Sequence, residues 1–284
     1  MTRRRCVRHS AMLNYTEQLW RLMDDVVSRV PKLSFIDTQE LFVFARFGRR
    51  EADGAFATCH SLNLPTSEPG YYFWRDRATG SLTRRSEWFV TKTPEVRISG
   101  QRIKYLISFV LPRFCEQSLT KSRKAEFYDA RVEPWIAKLD TVVHELYHID
   151  PEDAGLRKFI AADGTRVERS HGPGFYEQVA DMVRAYLATV PDPRRYEFLK
   201  YNFAGLQARY GTVACTTFRN FPSFPQRYVE PLLQQPPEPQ LSVPVEPIRR
   251  GTQPVLYTER DVACREFTWG GTRRLAAQLQ SGAA

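Results

Sequence analysis

Residues 134–151 read PWIAKLDTVVHELYHIDP, and the rest of the chain is best understood outward from them. Pro134 stands where proline is best tolerated, in the first turn of a helix, because its missing N–H would have no intrahelical partner there. Trp135, Leu139, Val142, Val143, Leu146 and Ile149 follow at helical spacing. Pro151 closes the run, since proline cannot continue the ladder of backbone hydrogen bonds. The pattern predicts a helix over 134–149 with Val142 and Val143 turned to a core.

Upstream, Leu19, Leu22, Met23, Val26, Val27 and Val30 recur at helical spacing and predict a helix over 13–30, stopped by Pro31. Leu41 to Phe47 (LFVFARF) reads as a strand, and Ala55 to Leu62 as its partner in a hairpin across the charged turn 48–54. Tyr71 to Trp74 and Glu87 to Val90 flank the turn signal Ala78-Thr79-Gly80 and predict a second hairpin. Ile103 to Leu111 (IKYLISFVL) is a strand ended by Pro112. Residues 117–132, with KSRK at 121–124, read as a solvated loop or the start of a helix.

Downstream, Gly172-Pro173-Gly174 introduces a helix with Phe175, Val179, Met182, Val183, Tyr186, Leu187 and Val190 on one face, ended by Pro191 and Pro193. Prolines crowd 234–254 and predict an extended linker. The order of helix, strands, then two helices is that of an α+β domain over 13–232 with a small, mostly antiparallel sheet. A basic leader at 1–12 precedes it, and a Pro-rich linker and poorly ordered tail at 233–284 follow.

Within the central helix, His144 and His148 lie four apart, on one face, where two imidazoles can converge on one ion. Glu145 follows His144, placed to take a proton from metal-bound water and return it to a leaving amine. Zn2+ is the expected ion, and the chemistry expected of the pattern is hydrolysis of peptide bonds. A catalytic zinc takes a third protein ligand and keeps a position for water. The longer pattern with glycine at 151 and histidine at 154 is excluded, because Pro151 and Ala154 stand there. Glu168 and His171 both remain as third-ligand candidates; His171, set against the glycines that open the next helix, is favoured. Tyr147, Tyr176 and Tyr186 are candidate donors to a developing oxyanion, and the residues alone do not choose among them.

The pair HELYH (144–148) and SHGPGF (170–175) resembles the SprT/Spartan-like zinc peptidases and the related phage metallopeptidases. The likeness spans roughly 13–190 and is sharpest over 140–180. It implies a zincin-like fold with an HExxH active-site helix, His144, His148 and His171 as ligands, Glu145 as catalytic base and Phe175 as a packing residue that seats the second helix. It also implies a protein or peptide substrate, with DNA-associated proteins among the substrates of such enzymes. The chain departs from the pattern in a longer loop between His148 and His171. It also has no cysteine zinc ribbon after the domain, so DNA contact tied to that ribbon does not carry over.

Composition narrows the partners. Of 284 residues, 42% are hydrophobic and 13% aromatic, which suits a packed domain rather than a disordered chain. The net charge of +9 favours polyanions, nucleic acid above all. Arg49-Arg50, Arg84-Arg85, the 121–124 run and Arg194-Arg195 are candidate phosphate contacts. Five scattered cysteines make neither a zinc ribbon nor a disulfide scaffold. No stretch has the length of a membrane span or the apolar core of a secretory signal, so a soluble cytoplasmic protein with no membrane partner is expected. A second class remains open: a non-catalytic basic domain that binds nucleic acid or protein, with structural zinc or none. A peptidase of a phage or mobile element acting on a regulatory protein is a third. The residues are silent on oligomeric state.

Overall fold

In the computed structural model, which describes residues 12–49, 52–62, 69–75, 82–92, 95–119, 123–129, 131–152, 155–157, 159–160, 166–167, 171–218, 228–231, 243–244 and 256–275, strand β1 (Met12–Asn14) leads directly into helix α1 (Tyr15–Arg29). The Asn14 side chain accepts from the Glu17 backbone N–H at 3.3 Å, satisfying one of the amides a helix start leaves open. Leu19, Leu22, Met23, Val26 and Val27 are buried, as the spacing over 13–30 predicts, and Pro31 opens the 3-10 turn that follows.

Seven strands follow: β2 (Leu41–Gly48), β3 (Ala57–Ser61), β4 (Pro69–Arg75), β5 (Leu82–Lys92), β6 (Glu95–Ile98), β7 (Gln101–Ile103) and β8 (Tyr105–Pro112). The expected hairpin of 41–47 with 55–62 does not form. β8 lies between the two strands in a sheet of order β2-β8-β3, parallel to β2 with Leu41 opposite Tyr105, and antiparallel to β3 with Ala57 opposite Phe109. All eight residues of β8 are buried. A strand with no solvent face belongs at the centre of a sheet, and that demand outweighs the short connection of a hairpin. The sheet is therefore mixed rather than mostly antiparallel. The second hairpin forms where its turn signal predicts, with Tyr71 of β4 opposite Trp88 of β5.

The rest of the chain contributes α2 (Ile136–Tyr147), β9 (Phe159–Ile160), β10 (Arg166–Val167), α3 (Phe175–Ala188), α4 (Phe203–Tyr210) and β11 (Thr212–Phe218). After these come β12 (Tyr228–Pro231), β13 (Val243–Pro244), β14 (Leu256–Tyr257), β15 (Val262–Thr268) and β16 (Gly271–Arg274). Helix α2 is buried along its entire length, not on one face alone. Leu139, Val142 and Val143 join a single core with Leu19, Leu22 and Val26 of α1, Val43 of β2, Cys59 of β3 and Ile107 and Phe109 of β8. Helix α3 buries Phe175, Val179, Met182, Val183 and Tyr186 as its spacing predicts. Val190, expected on that face, lies past the helix end and is 85% exposed. No helix among the described residues is long and apolar enough to cross a membrane.

The poorly ordered tail expected over 233–284 is corrected for residues 256–275. Strand β15 pairs antiparallel with β11, with Cys215 opposite Arg265, and β16 pairs antiparallel with β15, giving a sheet of order β1-β11-β15-β16. Phe267 is fully buried in the main core, and the Trp269 ring meets Phe203 edge-on with centroids 5.2 Å apart. Trp269 and Gly270 form the two-residue turn between the strands, with Thr268 opposite Gly271. The proline-rich stretch upstream therefore does not mark the end of the packed chain.

Replacing Phe267 by Ala is expected to cost about 3–5 kcal/mol, the range for truncating a buried aromatic ring. Urea unfolding checks this, and a cost under about 1 kcal/mol would show that the β15–β16 hairpin is not part of the core.

Candidate metal centre

His144 lies in the last turn of α2, and His148 is its C-cap residue, so the two rings share the helix face that their spacing of four predicts. Their Nε2 atoms are 3.1 Å apart. His171 comes from the segment just before α3. Its Nε2 lies 3.0 Å from that of His144. Gly174, the N-cap of α3, has φ of 71°, a left-handed conformation that side chains other than glycine rarely adopt. That turn lets the chain pass from His171 into a helix whose first residue is the buried Phe175.

The Phe175 ring meets all three imidazoles, with centroids 4.8 Å from His144, 5.0 Å from His148 and 4.7 Å from His171. It packs as expected of a residue that seats the second helix, and it also holds the three rings in one apolar nest. The C-terminal end of α2 is tied off by Arg157. Its backbone N–H donates to the His148 carbonyl at 2.7 Å, and its guanidinium donates to the carbonyls of Tyr147 at 2.9 Å and Ile149 at 3.3 Å. These contacts satisfy carbonyls that a helix end leaves open and fix the backbone that carries His148.

His144, His148 and His171 form a group able to hold a metal ion, their ligand atoms all within 4.8 Å of one another. Tetrahedral zinc with Zn–N bonds of about 2.0–2.1 Å separates its nitrogens by about 3.3–3.4 Å, close to the two spacings found here. The protonation state fits as well. Burial drives the pKa of His148 down to about 3, helped by the neighbouring His171, Arg157 and Lys124. Burial also lowers His144, well below the ordinary value, and His171. Neutral imidazole is the ligand form. Among the described residues no fourth His, Cys, Asp or Glu joins the group, and Glu168 lies outside them.

Glu145 is buried beside this group. The backbone N–H of Cys59, on β3, donates to its carboxylate, and β3 lies against α2. Burial raises the Glu145 carboxyl to about 8, with Lys124 and the Cys59 N–H pulling the other way.

Lys124 corrects an expectation. The stretch with the 121–124 run reads as a solvated loop or the start of a helix; Arg123–Phe127 form a 3-10 turn, and Lys124 is buried, ion-paired with Asp140 and donating to Thr141 Oγ1 at 3.1 Å. Asp140 also accepts from the Tyr128 hydroxyl at 2.6 Å, and Thr141 bonds to Gln117. Asp140 precedes His144 by four residues and Thr141 precedes Glu145 by four, so this network stacks one turn behind the site. A lysine in a basic, polar stretch gives no sign in the sequence that it will be buried. Of the other candidate phosphate contacts, Arg49 and Arg195 are exposed, and Arg194 is exposed but paired with Asp192 at 2.7 Å. Arg50 lies outside the described residues, as do the side chains of Arg84 and Arg85.

The three tyrosines also separate. The Tyr186 hydroxyl donates to Asp25 at 2.7 Å, between α3 and α1. That of Tyr147 donates to Gln178. The Tyr176 ring lies against the site, 5.3 Å from His171 and 5.9 Å from His144.

Comparison with protein-family models, with curated proteins and with solved structures finds no match to this chain.

Proton competition is the measurable consequence of these depressed imidazoles. An imidazole at its ordinary pKa of 6.5 is protonated about ten to one at pH 5.5, which would weaken a three-histidine site by about a thousandfold relative to neutral pH. With folded pKa values held below 6.5, the protons are already off, and affinity for Zn2+ should fall far less between pH 7.5 and 5.5. Competition titration with a chelator measures this, and a thousandfold fall would contradict it.

Proposed function

We propose that this chain is a zinc-dependent endopeptidase with a zincin-like fold, similar in kind to the SprT/Spartan-like enzymes. The observation that carries the reading is the convergence of three imidazole nitrogens from two segments, at 3.0 and 3.1 Å, beside a buried glutamate. Bound there, zinc supplies a Lewis acid for a scissile carbonyl and lowers the pKa of a coordinated water toward about 7. His144, His148 and His171 hold the ion, and Phe175 keeps their rings from turning away.

Glu145 is the general base in this reading. It takes the proton of the attacking water and passes it to the amine that leaves. A carboxyl raised to about 8 can both accept and return a proton near neutral pH. The Cys59 N–H orients the carboxylate and ties it to the sheet. A structural zinc site takes four protein ligands, and among the described residues the group has three, which supports a catalytic site with a place for water.

The substrate class that follows is a protein or peptide. The net charge of +9 supports substrates bound to nucleic acid, with the exposed Arg49 and Arg195 as places where phosphate contact would begin.

Glu145→Gln is expected to keep one zinc per chain and to lower the rate of casein cleavage by about 10²–10⁴-fold, the range for removing a general base. Metal analysis and a quenched-casein assay on the same preparation read both arms. Undiminished cleavage in that variant removes Glu145 from its role.

A further inference from the structure

We infer that Tyr176 is a further catalytic residue, its hydroxyl donating a hydrogen bond to the substrate carbonyl oxygen as that oxygen takes on negative charge. The inference rests on the peptidase reading above and adds to it the group that shares the oxyanion with the metal.

Attack by water forms a bond from the water oxygen to the carbonyl carbon, and the π pair of the C=O bond moves onto oxygen. That oxygen needs a preorganised donor aimed at it as well as the cation, because such donors act at full strength only where water is excluded. Glu145 cannot serve, since it is the acceptor in the same step. Lys124, a buried cation that acts on all three imidazoles, is already committed to Asp140 and Thr141. Arg157 is committed to the backbone carbonyls of Tyr147 and Ile149.

Three phenols were candidates, and two are spoken for. Tyr186 is held by Asp25 on the α1 side of α3, and its hydroxyl has no path to the histidines without losing a buried bond. Tyr147 is fixed to Gln178, with the Arg157 guanidinium 4.3 Å and the Lys32 ammonium 5.5 Å from its ring centroid.

Tyr176 differs on both counts. Its hydroxyl makes no hydrogen bond with any of the described residues, and its ring is partly exposed. The ring is nearly parallel to that of His171, at 30° and 5.3 Å, and tilted 34° from His144 at 5.9 Å. The phenol ring is packed against two imidazoles whose Nε2 atoms converge, which places the ring beside the group. Its backbone is anchored by position, as the second residue of α3, directly after the buried Phe175. The donor is thus held by the same helix start that presents His171. No proton is transferred by Tyr176 in this step; it keeps its O–H and shares it.

Tyr176→Phe keeps the ring and its packing and removes only the hydroxyl, so it separates a donor from a spacer. On casein, kcat is expected to fall by about 10²-fold with KM within about twofold, the signature of an interaction made in the transition state. A second measurement does not depend on turnover. Orthophosphate, a tetrahedral oxyanion, and ethanethiol, which binds metal through sulfur and carries no oxygen for the phenol to meet, are titrated calorimetrically into the zinc-loaded protein. The variant is expected to bind orthophosphate at least tenfold more weakly and the thiol unchanged. Equal affinities for orthophosphate in the two proteins, or equal weakening of both ligands, overturns the assignment. Loss of the orthophosphate difference with casein cleavage intact and Glu145-dependent would remove Tyr176 alone. A zinc-loaded protein that discriminates between the two ligands through Tyr176 but cleaves no protein would instead remove the peptidase reading.

Discussion

Helix α2 has no solvent face, and every polar side chain on it must find its partner inside the protein. Besides Tyr147, whose hydroxyl donates to Gln178, five such residues are buried there, and the surrounding chain meets each of them. Lys138 donates to the Tyr201 carbonyl at 2.6 Å. Asp140 faces Lys124 and Tyr128, Thr141 faces Gln117, and Glu145 takes the Cys59 N–H. His144 meets His148 and His171 through Nε2, while its Nδ1 is buried without a hydrogen-bond partner among the described residues. Breaking one side of a buried ion pair such as Lys124–Asp140 costs about 3–5 kcal/mol, so these contacts constrain the packing of the whole domain. Strand β3, the segment around Lys124, the segment before α4 and the start of α3 are each positioned by what α2 requires.

That constraint also shapes the site. The same burial that seats the helix strips water from His144 and His148, and partial burial lowers His171 too, favouring the neutral form that binds a metal ion. Near these rings the charged groups that act on them are cations, Lys124 and Arg157, and both are anchored, one to Asp140 and the other to the helix-end carbonyls. Three like-natured rings packed around Phe175, with two Nε2–Nε2 gaps near 3 Å, form a group whose cohesion comes from apolar contact and whose polarity is turned inward. Such a group could hold a metal ion at its centre.

Much of this was legible in the residues. The spacing of His144 and His148, the glycines beside His171 and the apolar periodicities of α1, α2 and α3 are local signals, and local signals survive folding. What could not be seen depends on contacts distant in sequence. Nothing local in LFVFARF or in 55–62 tells that β8 will come between them; only the apolar run of β8 on both faces decides it. Lys124 sits in a basic stretch and was indistinguishable from a solvated lysine, because its partner Asp140 lies on another element. The β15–β16 hairpin turns through Trp269-Gly270, and the crowding of prolines before it hid the strands on either side. Tyr147, Tyr176 and Tyr186 were equivalent as letters and became different only through Gln178, Asp25 and the rings of His171 and His144.

X-ray absorption at the zinc edge of the loaded protein addresses the three-imidazole centre most directly. A first shell of four light atoms at about 2.0–2.1 Å, with outer-shell scattering from three imidazoles that drops to two in His171→Ala, is the result expected. A first shell containing sulfur, or an imidazole count that His171→Ala leaves unchanged, would contradict it.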